Sequence, residues 1–211
     1  LAICACGSPD SSYVVARFAL PGSGAANEGP LRNQQGLHLL ETAGAYVALS
    51  VSSADMETVK DAWPDEASDY TPGTDYVDLP LDVPAGDNRK VEAIAFLFAN
   101  GRPHAFLQDA ELYVDLEEGE TEEVTIELLE AEVGEVSGSA PAEVAEVWLV
   151  DLGEAVLLSS VAASGDAYEF PFAPLNRELA VYWVDANGET HSDPQLSFVL
   201  TPEVPKHTRD L

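Results

Sequence analysis

Four histidines, His38, His104, His191 and His207, are the side chains best suited to proton transfer or metal ligation near neutral pH. Their spacing supports neither task. None has a partner at i+4 and no HExxH pattern occurs, so no two imidazoles are paired on one helix face. They are expected as exposed loop residues. No serine lies in a Gly-x-Ser-x-Gly elbow, and no glycine-rich loop is built to cradle phosphate. Asp61, Asp65, Glu66, Asp69 and Asp75 could offer hard oxygens to Ca²⁺, but without EF-hand spacing they read as a solvated acidic loop. Trp63, Trp148 and Trp183 could stack on sugars. Trp148 and Trp183 fall in apolar strands and are expected in the core, which leaves Trp63, in a loop, as the exposed candidate. No catalytic residue, metal ligand or cofactor is assigned, because catalysis needs convergent polar groups that this pattern does not display.

Charge narrows the partners. Against 38 Asp and Glu stand nine Lys and Arg, a formal charge of -29. Lysine occurs only as Lys60, Lys90 and Lys206. Nucleic acid and anionic lipid need clustered cations and are not expected as partners. High acid with little lysine gives a hydrated surface suited to a salty medium, or a surface for Ca²⁺ or a basic partner, and resembles proteins of halophilic organisms. No run reaches the roughly 18 apolar residues of a membrane span.

Cysteine occurs only as Cys4 and Cys6, outside the expected folded body, so no disulfide framework holds it. Ile3-Cys4-Ala5-Cys6-Gly7 resembles the lipobox at the end of a bacterial lipoprotein signal peptide. The resemblance implies lipid attachment at Cys6 and contact with a membrane through that lipid. A truncated ordinary signal peptide or cysteines that crosslink chains are the alternatives. If Leu1 to Ala5 are retained in the mature protein, Cys6 is not the lipid acceptor.

The elements that must position any site are short apolar or alternating runs separated by turn residues. Ser11–Leu20 reads as one strand, buried on both faces or pairing at an edge. Residues 21–36 read as a linker or long loop. Gly44–Ser53 follows, with Val47, Leu49 and Val51 inward. Met56, Val59 and Trp63 have helical spacing and suggest a short helix. Strands are expected near Tyr76–Val83, Arg89–Ala99, Ala105–Asp115 and Glu122–Leu129, with a hairpin turn at Asn100-Gly101 and another turn at Glu118-Gly119. A second series lies near Glu135–Ser139, Ala145–Asp151, Ala155–Ala162, Ala167–Phe172, Glu178–Asp185 and Gln195–Thr201, with turns at Ser164-Gly165-Asp166 and Asn187-Gly188. The glutamates from Glu117 to Glu135 are mostly the wet side of an amphipathic strand.

The expected fold is all-β: two antiparallel β-sandwich domains in tandem, preceded by an extended N-terminal segment. The divisions fall at residues 1–36 for the anchor or strand and linker, 37–132 and 133–202 for the sandwiches, and 203–211 for a polar tail that is disordered or docked on a partner. Three stretches, Val51-Ser52-Ser53-Ala54-Asp55-Met56, Leu81 to Arg89, and Asp115-Leu116 with Gly119, resemble an immunoglobulin-like or transthyretin-like module of exported bacterial lipoproteins. Gly134-Glu135-Val136-Ser137-Gly138 and Gly165 to Phe170 resemble the carboxypeptidase regulatory-like sandwich. Both resemblances imply accessory, adhesive or assembly work rather than catalysis.

The expected function is therefore a non-enzymatic, exported surface protein that binds other proteins or copies of itself. Its expected place is extracytoplasmic, at the cell surface or anchored to the outer membrane. One alternative is a subunit of an extracellular filament that uses Ser11–Leu20 for donor-strand exchange. Another is a carbohydrate-binding module.

Overall fold

The computed structural model describes residues 12–19, 32–64, 76–163, 167–193 and 197–211. Cys4, Cys6, Asp65, Glu66, Asp69, Asp75, the Ser164-Gly165-Asp166 turn and Gln195 lie outside the described residues. The fold is all-β, as expected.

In the first half, β1 (Ser12–Ala19), β5 (Tyr76–Val83) and β9 (Thr121–Ile126) form a sheet in the order β5-β1-β9. Facing it are β3 (Ala45–Ser53), β4 (Met56–Trp63), β6 (Gly86–Ala99), β7 (Arg102–Gln108) and β10 (Leu128–Glu130), in the order β10-β7-β6-β3-β4, with β8 (Leu112–Leu116) paired to β6. In the second half, β11 (Val133–Ser139), β14 (Ala167–Pro174) and β18 (Lys206–Thr208) are ordered β14-β11-β18. The other sheet runs β16-β15-β12-β13-β2, from β2 (His38–Leu39), β12 (Val144–Asp151), β13 (Val156–Ala162), β15 (Glu178–Asp185) and β16 (Thr190–Ser192), and β17 (Phe198–Val199) pairs with β15. The short helix α1 (Leu40–Ala43) ends at Gly44, whose φ of 78° suits a residue without Cβ. No helix among the described residues is long and apolar enough to cross a membrane.

β1 is neither an edge strand nor buried on both faces. It pairs antiparallel with β5 and parallel with β9, so it is the middle strand of its sheet. Ser12, Val14, Ala16 and Phe18 all point inward, an alternation obscured in the sequence by the small residues at 12 and 16. Met56–Trp63 is a strand, not a helix. It lies at the edge of its sheet, where exposure on both faces blurs the alternation that marks a half-buried strand. The expected strand Ala105–Asp115 is two strands, β7 and β8, which pair with different parts of β6. Of the last expected strand, Gln195–Thr201, the described residues contribute the short β17.

The polar tail is docked on its own chain rather than free or on a partner. β18 runs parallel to β11, and Tyr168 Oη donates to the Arg209 carbonyl at 2.6 Å. Two glycines make room for it. A Cβ at Gly134 would lie 2.1 Å from the Pro205 carbonyl oxygen, and one at Gly138 would lie 1.6 Å from that of Arg209.

The first core is built from Val14, Ala16 and Phe18 of β1 with Val47, Leu49 and Val51 of β3, Leu79 and Leu81 of β5, and Val91 and Leu97 of β6. The opposite face of β3 and β6 is buried too. Tyr46, Ala48, Ile94, Phe96 and Ala105 belong to the same apolar cluster as Val136, Val147, Leu149, Leu158, Tyr168 and Phe170 of the second half. Sheets covered on both faces lose the apolar-polar alternation, which is why β3 is buried almost throughout. Each large side chain so buried contributes about 1.5–3 kcal/mol.

Candidate functional site

The apolar joint between the halves carries a polar clamp on each of two sides. On one, Glu154 from the β12–β13 turn meets two residues of the first half. Tyr46 Oη donates to Glu154 Oε2 at 3.1 Å, and Lys60 Nζ lies 2.6 Å from the same oxygen. Lys60 also donates to the Gly153 carbonyl at 3.2 Å. Behind them, Arg177 forks onto the fully buried Asp151 with bonds of 2.8 and 2.9 Å, and Asp151 Oδ1 accepts the Glu154 N–H at 2.9 Å. A buried carboxylate is tolerable only with such a complete set of donors. Burial, then the Glu154 charge, pushes the Tyr46 phenol well above its ordinary value, so it remains a donor. Burial pulls the Arg177 guanidinium down, but Asp151 and Glu154 outweigh it and the net direction is up.

On the other side, the Arg102 guanidinium of β7 sits 4.5 Å from the ring centroid of Phe172 on β14. Arg102 Nε donates to His104 Nε2 at 3.3 Å, and His104 Nδ1 lies 2.7 Å from Glu130. Arg102 can only donate, so His104 Nε2 accepts and Nδ1 carries the proton that faces Glu130. These contacts orient side chains across a joint.

The residues of the first resemblance do converge, at one end of the first half. Arg89 is buried. It donates to the Pro84 carbonyl at 3.2 Å, the Ala85 carbonyl at 2.6 Å and Ser53 Oγ at 2.7 Å, and it pairs with Asp55. The Asn88 N–H donates to Asp115 at 2.8 Å. One guanidinium thus ties the β3–β4 turn to the β5–β6 turn. The hydrogen bond from Arg89, then that from Ser53, holds the Asp55 carboxyl down at about 2.

The four histidines are all on strands, not in loops, and they do not meet. His38 is fully buried, 4.9 Å from the Tyr46 ring. His104 serves the second clamp. His207 stacks on Phe198 at 4.0 Å. His191 stacks on Trp183 at 5.7 Å and lies 3.3 Å from Asp185 Oδ2. With Glu189 these last two form a group whose ligand atoms lie within 4.8 Å of one another. Asp185 already accepts the N–H groups of Asn187 and Glu189 at 2.8 and 2.9 Å, so turn formation accounts for the cluster without an ion.

Of the acidic loop, Asp61 is exposed on β4, and its other members lie outside the described residues. Trp63 is on β4 rather than in a loop, and it packs against the first core. Trp183 packs against the shared core, as expected. Trp148 does not: it alternates with the inward Val147 and Leu149 and so stands on the opposite face of its sheet. Sequence reasoning missed Tyr46, Glu154 and Arg102 as joint residues. The only available signal was that Tyr46 interrupts an otherwise apolar run.

No family model matches the chain, and no curated protein matches it. Among solved structures it is similar to the shaft pilin SpaA from Lactobacillus rhamnosus GG, at 10% identity over 95% of this chain and 96% of that one, with a TM-score of 0.25. A Streptococcal ancillary pilin matches at 8% identity and a TM-score of 0.28, over 97% of this chain and 63% of that one. A bacterial adhesin from Mobiluncus mulieris matches at 12% identity and a TM-score of 0.22, over 69% of this chain and 68% of that one. At these TM-scores the similarity says nothing about activity.

Proposed function

We propose that this chain is a non-enzymatic module of an extracytoplasmic surface protein, in which two sandwiches are held as one stiff body for binding or assembly. The observation that carries the reading is the single apolar cluster running from Tyr46, Ile94 and Phe96 into Val136, Leu149 and Phe170. Interfaces between freely moving domains are smaller and more polar. Here the joint is core-like and closed by Glu154 on one side and Arg102 on another. Such a body transmits position and load between its ends, and its acidic surface keeps it hydrated. Electron microscopy of native cell-surface material tests the assignment: the protein is expected in surface assemblies, and a monodisperse internal pool would overturn it. Lipid attachment at Cys6 is part of the same proposal. Mass spectrometry of the native N-terminus would show an acylated Cys6, whereas a free Leu1 with unmodified Cys6 would remove the anchor.

The position of β1 supports a second reading, a filament subunit. This strand supplies Val14, Ala16 and Phe18 to the first core and fills the slot between β5 and β9. The same slot accepts the strand of another copy with no new chemistry. A chain lacking residues 1–30 should gain stability from an added peptide of the sequence Ser12–Ala19. A truncated chain that is folded, soluble and indifferent to the peptide would sink the filament reading.

A further inference from the structure

The outer face of the sheet β16-β15-β12-β13 carries an aromatic row. Trp148 lies directly opposite Tyr182 on β15 and Ser160 on β13, and Tyr182 lies opposite Ser192 on β16. Opposed residues share a face, so Ser192, Tyr182, Trp148 and Ser160 form one line across four strands. At about 4.8 Å per strand the line spans about 14 Å. The neighbouring row adds Thr190, Val184 and Glu146. Toward the other side, Ala180 and Val150 are buried, so the aromatic pair stands where the covered part of the face gives way to the open part.

The chemistry of this row is selective. Trp148 and Tyr182 are part-exposed, yet the indole Nε1 of Trp148 is buried and has no hydrogen-bond partner among the described residues. What the indole shows to solvent is therefore carbon rather than a donor. Hydroxyls flank the pair on both sides, at Ser160 and Ser192. No cation lies in either row, Glu146 is the one ionised group, and the whole chain carries a charge of -29. An anionic ligand would be repelled. Part-exposed aromatic carbon edged by hydroxyls and one carboxylate matches the C–H face and the outward hydroxyls of uncharged sugar rings.

We propose that the Trp148–Tyr182 row is a binding face for a neutral polysaccharide. The sugar rings lie along the row, with their C–H faces on Trp148 and Tyr182 and their hydroxyls bonded to Ser160, Ser192 and Glu146. The site stands apart from the joint and from β1, so it is independent of the assembly reading, which electron microscopy judges separately.

Affinity electrophoresis of the full chain through soluble β-glucan, xylan, mannan and starch tests it, with tryptophan fluorescence titration for any that retards the protein. At least one of these polysaccharides is expected to retard the chain. Trp148→Ala and Tyr182→Ala should each weaken binding about tenfold or more, while Tyr113→Ala, on the first sandwich, should leave it unchanged. Near-UV circular dichroism checks each variant. If Trp148→Ala fails to fold, Tyr182→Ala and Ser160→Lys carry the test. No retardation by any of the four overturns the proposal, as does retardation that survives Tyr182→Ala. Concentration-dependent dimerisation lost in the same variants would overturn it in favour of self-association.

Discussion

Gly86 and Arg89 occupy nearly the same space: a Cβ built on Gly86 would lie 2.1 Å from Arg89 Nη2. Gly86 also has φ of 149°, which side chains rarely adopt. Gly86→Ala therefore has to displace the guanidinium from the Pro84 and Ala85 carbonyls. The expected loss is about 1–3 kcal/mol, read as a lower urea midpoint at unchanged slope.

The same staple sets an acid limit. The Asp55 carboxyl is depressed from 3.8 to about 2 by its bonds from Arg89 and Ser53. A depressed folded-state value means that its contribution is fully present above pH 3.8 and lost as pH falls through about 2. Asp55→Asn should flatten the stability profile across that window. An unchanged slope there would remove Asp55 from the account.

The tight turns were legible in the sequence, and the reason is local. Asn100 and Gly101 adopt φ of 54° and 75°, and Gly119 and Gly188 are also positive, so the expected turns follow from residues that tolerate such angles. Ser53, Asp55 and Arg89 belong to the stretches that carry the first resemblance, but their meeting depends on two hairpins being brought together, which no local spacing encodes. The edge strand Met56–Trp63 misled because edge strands need not alternate. His38 was expected outside, yet it is buried because β2 adds to β13 across the joint. Trp148 and Trp183, alike in the sequence, fall on opposite faces because β12 and β15 pair with Trp148 opposite Tyr182.

The C-terminal strand depends on Gly134 and Gly138. Gly138→Ala should expel it, raising hydrogen exchange at residues 204–211 while the first half is unaffected. Acid should loosen it too. Burial, then the nearby Arg209 charge, lowers the His207 pKa below 6.5. The docked tail is thus favoured above that value and loses this contribution as pH falls through the lowered one. Exchange protection of the tail independent of pH between 7.5 and 5 would contradict this.

Salt should stabilise the chain. With a charge of -29 and glutamates crowded at Glu117 to Glu123, repulsion opposes the compact state. Screening acts beyond about 8–10 Å at physiological ionic strength. Melting temperature should rise with NaCl. An equal response to Ca²⁺ and Mg²⁺ at matched ionic strength marks screening, and an excess with Ca²⁺ would mark a site involving Asp61, Asp65, Glu66, Asp69 and Asp75. A flat response to NaCl would show that the charges are already well separated.

At the joint, Tyr46 and Glu154 should be energetically coupled. A double-mutant cycle of Tyr46→Phe and Glu154→Gln is expected to give about 0.5–3 kcal/mol. Additive effects would mean that the 3.1 Å contact does not help to hold the halves together.

Differential scanning calorimetry of the full chain tests the shared core most directly. If Phe96, Ile94 and Tyr46 complete the same core as Leu149 and Phe170, the halves unfold together. The account predicts one transition with calorimetric and van't Hoff enthalpies in a ratio near one. Two resolved transitions, with Glu154→Gln leaving both unshifted, would contradict it.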